Sequence, residues 1–260
     1  RDDEQGRAAA GVCPAVAGRR LVFAAGCRHI DCADGGVASS DFEAAERAAS
    51  GADATIVVLG LQYDAIGDCM QCTTNDPPEW CHTSGCESEG FDRTTIALPP
   101  NQYELVSRLR RAAKGKLVGV FVHGGSFALR NLWPDLDAIV DAWYPGSTGG
   151  EAIVDVLFGN YSPAGRTAVT WYRDDADLPS DRTNASWRAG LGLSYRFFRG
   201  TPVLPFGHGL SYTTFHEDAR PAAAEVDACD SILLYVGVTN VGAWTSDHVV
   251  QVYALADIAH

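Results

Sequence analysis

An α/β fold, with a mainly parallel sheet sandwiched by helices, is predicted by three features of this sequence. Short apolar runs alternate with helical stretches from about residue 38 to 172. The runs are β-branched and unbroken by polar residues, as suits strands buried on both faces. The stretches between them carry apolar residues at the 3.6 period of an amphipathic helix.

The elements follow in order. Ser40-Asp41-Phe42-Glu43 reads as a capping box opening a helix, with Phe42, Ala45 and Ala49 on one face and Gly51 at the stop. Thr55-Ile56-Val57-Val58-Leu59-Gly60 is the next strand. After a long loop, Pro99-Pro100 blocks any earlier helix, and Asn101 with Glu104 can cap a new one. Its apolar positions are Leu105, Val106, Leu109, Ala112 and Ala113. Leu117 to Val122 is a strand, Ala138-Ile139-Val140 begins another, and Gly149 to Phe158 is a helix stopped by Gly159. Thr167 to Trp171 is a further strand candidate.

The pattern changes after residue 173. Residues 174–215 are rich in Pro, Gly and aromatics and read as an ordered connector. Ile232 to Val238 and Val249 to Tyr253 are strand-like, separated by the turn signal Asn240-Val241-Gly242. They read as the opening of an all-β module with too few strands to close a sandwich. The expected division is an α/β domain with its connector over 1–215 and an incomplete β module over 216–260.

Composition narrows the function. A net charge of -13 disfavours nucleic acid and anionic membrane surfaces, both of which call for a basic face. No run of 18 apolar residues exists, so no membrane span is expected. Arg1-Asp2-Asp3-Glu4-Gln5 has neither an initiator Met nor an apolar signal core, so the numbering is read as starting inside a longer protein. Eight cysteines and two sequons, Asn160-Tyr161-Ser162 and Asn184-Ala185-Ser186, favour a secreted, extracellular or vacuolar address.

The stretch with most chemistry is Glu87-Ser88-Glu89-Gly90-Phe91-Asp92-Arg93, ending the long loop after the 55–60 strand. Loops beyond the carboxyl ends of parallel strands are where such sheets place ligands. Two carboxylates two residues apart could supply a general acid, while Asp92 and Arg93 anchor the loop or contact substrate. The plain alternative is a solvated acidic loop.

Glu89-Gly90-Phe91-Asp92-Arg93, with Leu98-Pro99 and Asn101-Gln102 after it, resembles the acid/base segment of glycoside hydrolase family 3. Further blocks match in the same order: His123-Gly124-Gly125, Trp143-Tyr144-Pro145-Gly146, Asp155 to Gly159, Ser162 to Arg166 and Pro205 to Phe215. Thr239 to Gly242 and Val249 to Tyr253 look like the fibronectin type III-like module that closes many members. The resemblance covers roughly residues 20–254.

It implies a retaining exo-β-glycosidase without cofactor or metal, acting on oligosaccharides or aryl and alkyl β-glycosides. The active site would be shared with a preceding N-terminal barrel, absent from this chain, that carries the nucleophilic aspartate. Glu89 matches the acid/base position, with Glu87 as the alternative. Tyr195 to Phe198 and Gly200 to Val203 look most like the β-xylosidase branch, with β-glucosidase as the other reading. A non-catalytic module that binds carbohydrate or protein is the alternative of another class. The chain departs from the family in His123 and Ser126, which flank the Gly-Gly, in the cysteine-rich insertion over 62–86, and in its opening strand.

Cys69, Cys72, Cys81 and Cys86 admit two readings: a disulfide-stapled loop, which is favoured, or a zinc site with His82. Cys27 and Cys32 resemble a pair seen in xylosidase-like members and are expected to bond to each other. His123-Gly124-Gly125-Ser126 is like an esterase oxyanion loop, yet no Gly-x-Ser-x-Gly elbow occurs, so a strand-end turn is the better account. His208 reads as a connector residue, and Trp143 and Tyr144 as core or as a sugar-stacking pair.

Overall fold

The computed structural model describes residues 19–26, 38–63, 86–87, 93, 95–181, 183–184, 186–223, 225–227 and 229–254, with backbone alone at 38–40, 62–63 and 86. Helix α1 (Ala38–Ser50) leads into strand β1 (Ala54–Gly60), followed by the two-residue strands β2 (Gln62–Tyr63) and β3 (Cys86–Glu87). Helix α2 (Pro100–Ala112), strand β4 (Lys116–Val122), a 3-10 turn at Trp133–Asp135, strand β5 (Ala138–Asp141) and helix α3 (Gly149–Phe158) come next. Beyond them lie a 3-10 turn at Asp175–Asp177, the short helix α4 (Ser194–Phe197) and strands β6 (Phe215–Pro221) and β7 (Leu234–Asn240).

Strands β1, β4 and β5 form a parallel sheet in the order β1-β4-β5, with Ala54 opposite Lys116 and Val118 opposite Ala138. With its helices this is the α/β class that the alternating pattern predicts. Phe42, Ala45 and Ala49 of α1 and Leu105, Val106 and Leu109 of α2 share one core with Val57, Leu59, Leu117 and Phe121 of the sheet. Each fully buried Leu or Phe contributes about 2 kcal/mol by area. The bidentate Arg108–Glu46 pair between α2 and α1, at 2.6 and 3.0 Å, is partly exposed and screened by solvent, so it is a minor contribution beside burial. Burial therefore decides how the helices sit.

Several expectations are corrected. Helix α1 begins at Ala38, so Ser40 lies within its first turn and not before it. Helix α2 begins at Pro100 with Pro99 at the cap position and no side-chain cap. Proline's fixed φ suits the first helical residue, so Pro100 sets the start that Asn101 was expected to set. Strand β1 is buried on one face only: Ile56 and Val58 are 44% and 63% exposed, because β1 is an edge of the described sheet and α1 and α2 cover its other face.

Thr167 to Trp171 is not a strand; it makes a single antiparallel bridge, Trp171 to Leu204. In the last segment β7 starts at Leu234 and pairs antiparallel with β6, so the hairpin loop lies at 222–233, not at Asn240-Val241-Gly242. Residues 249–253 form no strand pairing among the described residues.

One polar side chain sits in the core for a reason. Gln102 accepts the Gly60 N–H at 3.1 Å and donates to the Gly60 carbonyl at 2.9 Å, acting as a strand partner at the end of β1. Gly60 has φ +146, and a Cβ there would lie 1.7 Å from the Val122 carbonyl oxygen, so only glycine fits.

Asp137 closes the entry to β5. It accepts from Lys116 Nζ at 2.7 Å, the Leu117 N–H at 2.9 Å and Arg110 Nη1 at 2.8 Å. These donors, the Lys116 bond first, hold its carboxyl well below the usual carboxylate range. A depressed folded value gives stability that is present above the unfolded value of about 4 and lost as pH falls below it. Asp137→Asn should therefore lower the urea midpoint above about pH 5 and converge with the wild type toward pH 2, with added salt narrowing the gap.

Candidate functional site

The carboxyl ends of β1, β4 and β5 converge. Gly60 ends β1, and the Leu61 N–H donates to the Val122 carbonyl at 2.9 Å, holding the chain beside the end of β4. His123-Gly124-Gly125-Ser126 leaves β4, and Asp141-Ala142-Trp143-Tyr144 leaves β5. Strand β3 pairs in parallel with β2, Tyr63 opposite Glu87, which delivers Glu87 to the same edge.

Glu87 is the centre of the contacts. One carboxylate oxygen accepts the Gly124 N–H and the Tyr144 hydroxyl, the latter at 3.0 Å. The other lies 3.5 Å from Arg93 Nη2, which also donates to the Ser126 carbonyl at 2.6 Å. The Glu87 and Arg93 side chains are only 12% and 15% exposed, so this ion pair is weakly screened. Burial pulls the Arg93 guanidinium below its ordinary value, and the Glu87 charge opposes that. Burial, with the bond to Glu87, pushes the Tyr144 phenol well above its ordinary value.

The segment after Arg93 is pinned in turn. The Thr95 hydroxyl and the Ile96 N–H donate to Asp175, the latter at 3.0 Å. The Ala128 N–H donates to the Ile96 carbonyl at 2.7 Å, and the Tyr103 hydroxyl bridges the Leu98 N–H and the Ala128 carbonyl at 3.0 and 3.1 Å. Residues 88–92 therefore run between two ends that are ion-paired to each other. Glu89 and Asp92, expected as acid/base and anchor, lie outside the described residues.

Beneath the Gly-Gly turn lies His123, with its ring fully buried. Its Nδ1 is 2.9 Å from the Gly125 carbonyl oxygen, and its Nε2 is 2.6 Å from Asp141 Oδ1. The Trp143 indole donates to Asp141 Oδ2 at 3.2 Å, although Trp143 holds a φ of 50°, a region that bulky residues avoid. His123 serves the turn's interior and does not face a ligand as an oxyanion loop would.

Sequence reasoning named Glu87 and Arg93, and the structure brings these two together. It missed Asp141, Asp175 and Tyr144's bond to Glu87. A carboxylate closing the apolar run Ala138-Ile139-Val140-Asp141 was the available signal for the first. His208 is tied by its backbone to Thr167, at 2.8 and 3.0 Å, as a connector residue would be. Cys27, Cys32, Cys69, Cys72, Cys81 and His82 lie outside the described residues, as does the Cys86 side chain. Among the described residues Cys229 is an exposed free thiol.

A methyl group on Gly124 would sit 2.5 Å from the Tyr144 ring and 3.1 Å from Glu87 Oε2. Gly124→Ala should cost about 1–3 kcal/mol by overpacking. The same change should cost clearly less in a Tyr144→Ala background, a coupling that a double-mutant cycle of urea midpoints measures.

The sequence model of the glycosyl hydrolase family 3 C-terminal domain matches residues 5–212. A xylan 1,4-beta-xylosidase of Xylanibacter ruminicola is 41% identical over 168 residues, which is 64% of this chain and 18% of that protein. Beta-D-xylosidase 1 of Arabidopsis thaliana is 32% identical over 271 residues, covering 90% of this chain and 32% of that protein. Among solved structures, a beta-glucosidase of Kluyveromyces marxianus superposes with a TM-score of 0.61 at 28% identity, over 79% of this chain and 23% of that one. The chain thus spans a third or less of the length of these relatives. A domain model matched over most of the chain, on a parallel α/β fold, makes this chain a member of glycoside hydrolase family 3 through that family's C-terminal domain.

Proposed function

We propose that this chain is the C-terminal part of a retaining exo-β-glycosidase that removes terminal non-reducing β-D-sugars, β-xylosides in preference, with Glu89 as its acid/base. The observation that carries the assignment is the engagement of Glu87. Its carboxylate holds the Gly124 N–H, Tyr144 and Arg93 together. A group that gave up and regained a proton each turnover would release those partners each time, which leaves the chemistry to Glu89.

In this reading an aspartate elsewhere in the full-length protein attacks the anomeric carbon. Glu89 protonates the departing glycosidic oxygen as the C–O bond breaks and a glycosyl ester forms. Glu89 then takes a proton from water, whose oxygen displaces the ester. Both steps need the two carboxyl groups about 5–5.5 Å apart, so the loop that carries Glu89 must be held firmly. The resemblance to the two β-xylosidases favours xylosides. The resemblance to the Kluyveromyces marxianus enzyme keeps β-glucosides as the second reading.

Full-length protein assayed on aryl β-xyloside and β-glucoside tests this. Glu89→Gln should lose about 10²- to 10⁴-fold in kcat/KM on poor leaving groups and far less in kcat/KM on activated ones, whose kcat should still fall because ester hydrolysis loses its base. Full activity in Glu89→Gln would remove the acid/base assignment. Turnover of neither sugar by the wild type would favour a carbohydrate- or protein-binding module.

A secretory address is part of the proposal, and the two sequons differ in fitness for it. Asn160 Nδ2 is bonded to Asp155 at 3.0 Å, Ser162 is buried and bonded to Ser211, and Pro163 follows. Asn184 and Ser186 are exposed, and the Ser186 N–H donates to Asn184 Oδ1 at 3.0 Å. Expressed through a eukaryotic secretory pathway, the protein should carry a glycan at Asn184 and none at Asn160. Mass spectrometry after endoglycosidase treatment of Asn184→Gln and Asn160→Gln reads the outcome.

A further inference from the structure

We infer that His123 is a positioning residue for the acid/base loop, holding the Gly124–Gly125 turn through a proton shared with Asp141. The inference rests on the reading of Glu89 given above, and its first step is a count of hydrogens. Both ring nitrogens of His123 face oxygens: the Gly125 carbonyl at 2.9 Å and Asp141 Oδ1 at 2.6 Å. A backbone carbonyl can only accept, and so can an ionised carboxylate. A neutral imidazole has a single N–H and cannot satisfy both.

The pair must therefore hold one proton more than a neutral ring beside a carboxylate. It is either an imidazolium against Asp141 or a neutral ring against a protonated Asp141. The Trp143 indole donates to the second Asp141 oxygen at 3.2 Å, which favours the carboxylate form and so the imidazolium. The ring has no exposure to water, so an unmet contact could not be made good by solvent.

The surroundings suit a buried cation. Phe127 and Trp171 meet the ring edge-on at 4.9 and 5.6 Å, and Trp143 tilts against it at 5.0 Å. None of these three titrates. The charged and titratable groups around the turn are Asp141 from β5, Glu87 from β3, Arg93 from the segment after it, and Tyr144 from the loop after β5. Asp141 touches the ring. Glu87, Arg93 and Tyr144 meet the turn from its other side.

The turn thus lies between His123 and the Glu87 cluster. His123 fixes the Gly125 carbonyl from below, while the Gly124 N–H binds Glu87 and the Ser126 carbonyl binds Arg93. Loss of the shared proton would set a ring lone pair against the Gly125 oxygen, and the turn would reorient. Glu87 and Arg93 would shift with it, and these are the two ends of the segment that carries Glu89. Trp143 stays in its strained conformation because its indole bond to Asp141 and the bond from the His123 N–H to its carbonyl, at 3.3 Å, over-determine it.

The test uses full-length protein labelled with ¹⁵N-histidine, with His123 assigned by the signal lost in His123→Gln. Both His123 nitrogens should carry protons at pH 6. In Asp141→Asn the amide can donate to Nε2, so that nitrogen should lose its proton while Nδ1 keeps one. On an aryl β-xyloside with a poor leaving group, His123→Gln should lower kcat about 10- to 100-fold, with KM within about twofold. In kcat/KM on an activated aryl xyloside, whose first step needs no acid, the loss should be under about threefold, whereas a general loss of structure would lower kcat/KM on both substrates alike.

A bare His123 nitrogen at pH 6, or equal losses on the two substrates, overturns the inference. Should His123→Gln fail to fold, assignment by Asp141→Asn carries the same NMR test. If Glu89→Gln lacks the leaving-group signature, the acid/base reading fails, while the NMR result still decides the shared proton.

Discussion

The Glu87 carboxylate ties three pieces of chain to one another. Its neighbours are a backbone N–H from the end of β4, a phenol from the loop after β5, and a guanidinium six residues further along its own segment. Hydrogen bonds to a charged group are stronger than those between neutral groups, and removing one partner leaves the other's polar atom unmet. An exposed ion pair would be worth far less. The low exposure of Glu87 and Arg93 is therefore what turns an acidic loop into a fixed part of the site.

That arrangement depends on the sheet beneath it. Parallel strands put all their carboxyl ends on one side, so the loops after β1, β4 and β5 meet without further design. Closeness then has to be permitted sterically. Gly60 lets β1 end against Val122, and Gly124 and Gly125 let the turn reach Glu87 and Tyr144. Gln102 serves the same end from the helix side by completing the hydrogen bonds of Gly60 at the edge of the described sheet.

The parallel sheet, its two packed helices and the position of the site were legible because each is written locally. Unbroken β-branched runs mark β1 and β4, and Phe42, Ala45 and Ala49 mark the buried stripe of α1. What was illegible depends on partners distant in sequence. Val249 to Tyr253 has strand composition but no pairing, and β7 finds its partner in Phe215–Pro221, a segment whose residues are mostly exposed. Pattern could not decide whether β1 had one buried face or two, since Ile56 and Val58 are as apolar as Val57 and Leu59. In the site, Glu87 and Glu89 look equivalent in sequence. Only folding brings Gly124, Tyr144 and Arg93 to Glu87, and Glu89 lies outside the described residues.

Under the proposed acid/base role of Glu89, two carboxylates two residues apart in sequence divide two tasks. A group that trades protons must be free to change charge, whereas a group that positions a loop must keep its charge to keep its partners. One carboxylate cannot do both without moving the site each time it reacts. The same logic reaches below the Gly-Gly turn, where three aromatic rings surround the buried His123 ring while Asp141 stays partly exposed. A largely buried pair of this kind adds little net stability relative to apolar residues of equal volume. What it contributes is a single orientation for the Gly125 carbonyl, within the turn that binds Glu87 and Arg93.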